Sequence, residues 1–483
     1  MSGEKGFEVK FALLAALLVV ASVAAVPAAS AQAPAPTTLA TRTQPGGSSL
    51  FLGGVPTGTA TAQPVALTLF DAIKRALEHN LGLLNAEQNL GRAQGARWTA
   101  LADLLPNIGG RIGENRQTVN LAAYGFPLPA GTPSLVGPFN IFDARVSLSQ
   151  PVFDLRALNA SKAEGHRLEA ARLNVKTARD LVVLVSGNLY LEALASQARV
   201  ESAQAQLQTA QALFDQTTRL KESGIVAGIE VLRSEVQLGN ERLRLTAARN
   251  TYELTKLQLA RVIGLPPGQS FTMDPTVPNV PVPSMTIEEA LERAYRTRPD
   301  YLAALERVRA AESERKAAVG EWLPSLRVNA DYGTLGNTPG DAQTTYSLSG
   351  SVNIPIFNGG RTKGRIMQAD ADLRMRQAEA ADLRSGIDFS VRSTFLELQA
   401  SDEQVQVATR SRELAAQQLV QARDRFAAGV ASNIEVVQAQ EAVAASSEQY
   451  ISASYAYNSA KALLARDLGE AEAMAFQILG GGR

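Results

Sequence analysis

The sequence predicts an α+β membrane protein made of one unit written twice, with long coiled-coil helices and two bilayer-length strands in each copy. Three observations predict it. Ordered motifs recur at nearly constant offsets, helical stretches run for about 67 residues, and four segments alternate apolar with polar residues. Composition excludes several other classes. The 483 residues carry 47 Lys+Arg against 47 Asp+Glu, without the basic excess that nucleic-acid binding leaves. There is no Cys, which removes thiolate metal sites, catalytic thiols, disulfides and a lipidated N-terminal Cys. His79 and His166 are too few for a His-based metal or catalytic centre.

Residues 1–33 read as a secretory signal peptide. Lys5 and Lys10 are basic, Phe11 to Val26 is apolar apart from Ser22, and Ala29-Ser30-Ala31 and Ala31-Gln32-Ala33 offer small-residue cleavage sites. No later stretch reaches the length of a transmembrane helix. Residues 34–66, rich in Ala, Pro, Thr and Gly, read as an extended N-terminal segment.

The two copies span 67–265 and 285–468, joined by a Pro-rich linker over 266–284 and followed by a tail over 469–483. Leu67 to Leu77 matches Met285 to Tyr295, and Leu104-Leu105-Pro106 matches Trp322-Leu323-Pro324, both at an offset of 218. Gln150-Pro151-Val152-Phe153 matches Ile354-Pro355-Ile356-Phe357, and Gly224 to Val231 matches Gly429 to Val436. An insertion of about 14 residues between Arg116 and Phe139 accounts for the change in offset.

Each copy opens with a helix of about 38 residues, capped by Thr68 or Thr286 and ended by the Leu-Pro pair. Two strands follow. Phe142, Ala144, Val146 and Leu148 alternate with Asp143, Arg145, Ser147 and Ser149; Leu326 to Gly333 and Tyr346 to Ile354 alternate likewise, and Ile108 to Gln117 more weakly. At about ten residues each, such strands can cross a membrane, but four cannot close a barrel, so membrane-spanning strands require an oligomer. Long helices then run over about 156–222 and 361–428, followed past a Gly break by helices of about 35 residues. Val231, Leu238, Leu245, Tyr252 and Leu259 recur every seven residues, as do Val436, Val443, Tyr450, Tyr457 and Leu464, predicting left-handed coiled-coil seams.

The ordered set of signal peptide, duplication, Leu-Pro pairs, Pro-x-Phe motifs and Gly-x5-Glu-Val motifs resembles the TolC-like outer-membrane efflux protein family from about Leu67 to Leu468. The resemblance implies a homotrimer in outer-membrane lipid, each protomer giving four strands to a 12-stranded barrel above a periplasmic barrel of helices. It implies a passive exit duct, with a periplasmic adaptor protein and an inner-membrane pump as partners and no cofactor. It places the adaptor-docking tips at Gly224, Ile225, Val226, Gly429, Val430 and Ala431. It places the entrance constriction at Glu435, with Gln438 where some members have a second acidic residue, Glu230 at the matching first-half position, and Phe426 and Ala431 where some members carry polar and basic gating partners.

No enzyme constellation is present. Asp370 and Asp372 lie two apart on a helix and do not share a face. Gly359 to Lys363 lacks phosphate-loop spacing and reads as the turn from strand to helix. Glu230 and Glu435 also suit helix N-termini as simple dipole partners. Export of small molecules, secretion of protein through the same architecture, and a structural coiled-coil surface or periplasmic protein remain as readings of this pattern.

Overall fold

The computed structural model describes residues 50–125, 131, 133–274 and 285–473. The expected signal peptide over 1–33, residues 34–49, the second half of the linker over 275–284 and the end of the tail over 474–483 lie outside the described residues.

The repeat is visible in the elements. Helices α1 (Leu69–His79) and α2 (Leu81–Ala102) lead to strands β2 (Asn107–Asn120) and β3 (Leu135–Phe153), then to α3 (Leu155–Glu222) and α4 (Gly228–Val262). The second copy repeats this as α5 (Ile287–Thr297), α6 (Pro299–Gly320), β5 (Ser325–Gly336), β6 (Gln343–Asn353), α7 (Arg361–Ala427) and α8 (Asn433–Asp467). Two short strands, β1 (Val65–Leu67) and β4 (Phe271–Met273), pair in parallel. Thus residues expected in the N-terminal segment and in the linker meet side by side.

The opening helix of each copy is two helices, not the single one the sequence predicts. Thr68 and Thr286 cap as expected, each in a reciprocal capping box with Asp71 or Glu289. After three turns the chain goes extended for one residue, at Asn80 (φ −68°, ψ 128°) and at the equivalent Arg298 (φ −60°, ψ 115°). Asn80 re-caps its helix by accepting from Gly82 N and donates Nδ2 to the Phe51 carbonyl. At Arg298 the following Pro299 disfavours helical ψ.

The four long strands form one antiparallel sheet in the order β2-β3-β5-β6, so each repeat supplies one hairpin. Register puts Ile108, Leu148, Ala330 and Leu348 in one row, and Gly110, Val146, Tyr332 and Tyr346 in the next. That face is apolar and bare: Tyr346, Leu348 and Val352 are 81 %, 75 % and 60 % exposed. The other face carries Ser149 hydrogen-bonded to Asn329 and Arg145 paired with Asp143 and Asp331. A globular core would cover such an apolar face; here nothing among the described residues does.

At 1.5 Å per residue α3 and α7 each span about 100 Å. Near the sheet α3 packs on α2 and α6, and α6 on α7; farther along, α3 packs on α4 and α8, and α8 on α7. By length and composition α3 alone among the described helices could cross a membrane, but 56 % of that stretch is buried against the protein, so core packing explains it.

Equivalent positions build equivalent cores. Ala72, Ile73, Ala76, Val182, Leu259 and Ile263 form one; Ala290, Leu291, Ala294, Ile387, Leu464 and Leu468 form the other. The first residues of the tail join in, with Ala471 in the first core and Glu472 accepting both arms of Arg179.

Next to Arg179, Asp180 is held by burial, with Glu472 and Asp300 adding repulsion, at a pKa of about 6 against an ordinary 3.8. Its unfolded form ionises first as pH rises, so the native state loses stability between about pH 4 and pH 6 and levels off above. Asp180→Asn should remove that step and stabilise the protein at pH 7.5 by about 2 kcal/mol in detergent-solubilised denaturant unfolding. An unchanged pH profile would discard Asp180 as its source.

Candidate functional site

The long helices end in two tips built alike. After Glu222 the chain turns at Gly224 (φ +73°), with Gly224 N donating to the Lys221 carbonyl and Ile225 N to the Leu220 carbonyl. After Ala427 it turns at Gly429 (φ +74°), with Gly429 N donating to the Phe426 carbonyl and Val430 N to the Arg425 carbonyl. This paired pattern is a helix C-terminus closed by a left-handed residue, a conformation natural to Gly. A Cβ at either glycine meets no atom within 4 Å, so backbone angle alone selects the residue. Ile225 and Val430 are 68 % and 69 % exposed at the extreme ends, beside half-buried Val226 and Ala431.

Behind the tips the helices are pinned together. Phe426 is buried with Leu213, Ala422, Val436 and Ala439, packing the end of α7 onto α3 and α8. The Thr217 and Ser234 hydroxyls lie 2.7 Å apart and join α3 to α4. Asn433, 1 % exposed, donates Nδ2 to the Glu230 carbonyl at 3.3 Å and ties the two tips to each other. Ile229, Leu232 and Val236 of α4 face Ile434, Val437 and Gln438 of α8 across a groove of about 380 Å³.

The two acidic positions sit in the first turns of α4 and α8, favourable with the helix dipole. Glu230 accepts from Arg233 at 2.7 Å and is mostly buried, whereas Glu435 is half-exposed with exposed Gln438 one turn on. Glu435 accepts from Arg425 Nε at 3.0 Å, across the turn from the last turn of α7. Sequence reasoning missed this partner, finding only Phe426 and Ala431 at the matching positions. The available signal was a basic residue closing one helix ten positions before an acid opening the next. Both side chains are substantially exposed, 57 % and 42 %, so the pair is weak and readily opened.

Two turns above the tips, Gln237 donates to Glu241 and Glu441, and Arg244 donates to the same two carboxylates at 2.9 and 2.8 Å. Burial raises Glu241. It acts on Glu441 too, but hydrogen bonds from Arg244 and Gln237 outweigh it and hold that carboxyl below its usual range. The network joins α4 to α8 and was not foreseen from sequence. Elsewhere, His166 pairs with Glu306 and Asp370 with Arg315, each linking long helices. Gly359 and Gly360, both at positive φ, turn β6 into α7.

Comparison with known proteins places this architecture. The profile of the outer membrane efflux protein family matches residues 72–265 and 289–470, one segment per repeat. The pyoverdine export outer membrane protein OpmQ of Pseudomonas putida is 24 % identical over 357 residues, 73 % of this chain and 74 % of that protein. The alkaline protease secretion protein AprF of Pseudomonas aeruginosa is 22 % identical over 342 residues, covering 68 % of this chain and 69 % of that one. The crystal structure of the outer membrane protein VceC of Vibrio cholerae superposes with a TM-score of 0.73 at 20 % identity, over 83 % of this chain and 96 % of that one. With both repeats matched in full order, the chain belongs to the outer membrane efflux protein family, a family of ducts rather than enzymes, and is an outer-membrane protein with a large periplasmic part.

Proposed function

We propose that three copies close into one passive duct, a 12-stranded barrel in the outer membrane continued by a periplasmic barrel of helices, and that it is the exit component of a tripartite system exporting small molecules. The observation that carries this reading is that every layer of the protomer is open at both edges. Among the described residues strands β2 and β6 each have one neighbour, and an unpaired edge cannot persist in lipid. The matching helix edges are α4 and α7. Ile229, Val236, Leu243 and Leu257 form a second seven-residue stripe on α4, and Phe389, Leu396, Val407 and Leu414 stand out from α7, all exposed. Copies set edge to edge would cover both stripes and pair both strands. The bare apolar strand face speaks against a structural coiled coil.

The tips at Gly224, Ile225, Val226, Gly429, Val430 and Ala431 would dock the periplasmic adaptor, the groove between Ile229 and Ile434 receiving its apolar side chains; the inner-membrane pump supplies the energy. Glu435 and Gln438 would line the entrance, with Glu230 and buried Phe426 bracing the helices behind them. Protein secretion through the same duct is the second reading, favoured by the likeness to AprF.

Purified protein in a planar bilayer should give long-lived conductance steps; a silent, water-soluble monomer would end the reading. The Arg425–Glu435 pair sharpens the test at the entrance, because paired charges cancel there. Glu435→Gln leaves three uncompensated arginines, so cation preference should fall. Arg425→Ala frees three carboxylates, so cation preference and block by multivalent cations should rise, each change by roughly twofold to fivefold in permeability ratio. Shifts of the same sign would remove both residues from the passage.

A further inference from the structure

The strand register sorts the charged side chains of the sheet onto its two faces. The polar face bears Arg111 of β2, Asp143 and Arg145 of β3, and Arg327 and Asp331 of β5, while β6 adds only uncharged residues there. Three arginines against two aspartates leave one net positive charge per copy. The opposite face holds Glu114 and Arg116 alone, near the outer end of β2, where Glu114 accepts from Asn140.

The pairing is uneven. Arg145 donates Nε to Asp143 at 2.6 Å and a terminal nitrogen to Asp331 at 3.0 Å, which commits both carboxylates. Arg111 stands directly opposite Arg145 in the register but takes no part in that cluster. Like Arg327, it has no ion-pair partner among the described residues. Its neighbours on the same face of β2 are Gly109 and Gly113, so the guanidinium rises from bare backbone and is exposed. Beyond it, residues 121–134 contain no charged residue, and residues 337–342 contain only Asp341, which accepts from the Thr338 hydroxyl. Asp341 is thus the one charged residue of those two outer segments.

We propose that Arg111 is the anion-recognising residue of the exit barrel, holding small carboxylates or other compact anions in passage through its forked donors. The inference rests on the channel reading above, which turns the polar face inward and brings three Arg111 side chains round one lumen. With the Arg425 and Glu435 charges cancelling at the entrance, anionic solute that has passed the tips meets an attractive site at this ring before release.

The test uses full-length protein in planar bilayers. Long periplasmic helices cannot cross the membrane, so the barrel mouth opens on the side opposite to addition, and a tricarboxylate such as citrate is applied there. Wild-type current should fall with citrate, and Arg111→Lys, which keeps the charge, should behave alike. Arg111→Gln should raise the half-blocking concentration by about tenfold, the size of one partly screened charge interaction. Steps of normal conductance that citrate blocks equally in wild type and Arg111→Gln, or leaves unblocked in wild type, would overturn the inference and leave the channel standing. Absence of steps from every protein would overturn the channel reading and the inference together.

Discussion

Gly333→Val is expected to abolish accumulation of the protein in the outer membrane. Gly333 lies in β5 opposite Arg145 of β3, the seam where the hairpin of one repeat joins the hairpin of the other. A Cβ there would sit 2.5 Å from the Arg145 Cα and closer still to the Ala144 carbonyl oxygen. Both obstacles are backbone or anchored to it, so a rotamer change cannot relieve them, and the strands must separate or slip. A one-residue slip would turn every apolar side chain of β5 from the apolar face to the polar face. We expect a cost of at least about 3 kcal/mol, the top of the usual overpacking range, concentrated on the strand seam between the two hairpins. Gly350→Ala in β6 is the matched control, because a Cβ there meets nothing within 4 Å. Immunoblots of membrane fractions should show Gly350→Ala at wild-type level and Gly333→Val nearly absent; equal levels would show that the β3–β5 seam yields without loss.

The duplication and the strands were legible because both write themselves periodically. Four motifs at steady offsets forced the halves into register, and alternation from Phe142 to Ser149 marked one apolar and one polar side before any coordinates. The shorter features had no period to read. Strands β1 and β4 are three residues each and about 200 residues apart, so their pairing leaves no pattern in either segment. The break at Asn80 is set by a side chain reaching the Phe51 carbonyl, a tertiary contact; in the second copy the signal was Pro299, and the single-helix expectation overlooked it. On α4 the sequence offered two seven-residue stripes only two positions apart. The one through Leu238 and Leu245 is buried inside the chain, and the one through Val236 and Leu243 is bare. Periodicity identifies a stripe but not which neighbour covers it. At the tips, glycine and acid positions were readable from the repeat, whereas Arg425 became visible only when the turn brought it to Glu435.

The second large effect should come from Asp467, where the two repeats solve one packing problem differently. Asp467 is fully buried at the end of α8 and accepts from Ser390 at 2.7 Å, Thr394 at 2.8 Å, Arg466 at 2.9 Å and Arg298 at 3.3 Å. Arg298 is itself buried at the break between α5 and α6, and its remaining ion partner is Asp300. Asp467→Ala therefore strips a buried guanidinium of one of two counter-charges and leaves two hydroxyls without an acceptor. Loss of about 3 kcal/mol is expected, within the range for breaking a buried ion pair from one side. Asp467→Asn, which keeps an acceptor for the hydroxyls, should cost clearly less. In the first repeat the same two positions are Asn80 and Val262, both buried and neither charged. If unpaired charge rather than lost volume sets the cost, Arg298→Asn combined with Asp467→Val should be more stable than Asp467→Ala alone, because both charges leave together. Denaturant unfolding of the detergent-solubilised proteins ranks the three. A double variant weaker than Asp467→Ala would mean that the ion cluster holds the second repeat in a geometry the neutral arrangement of the first cannot reproduce.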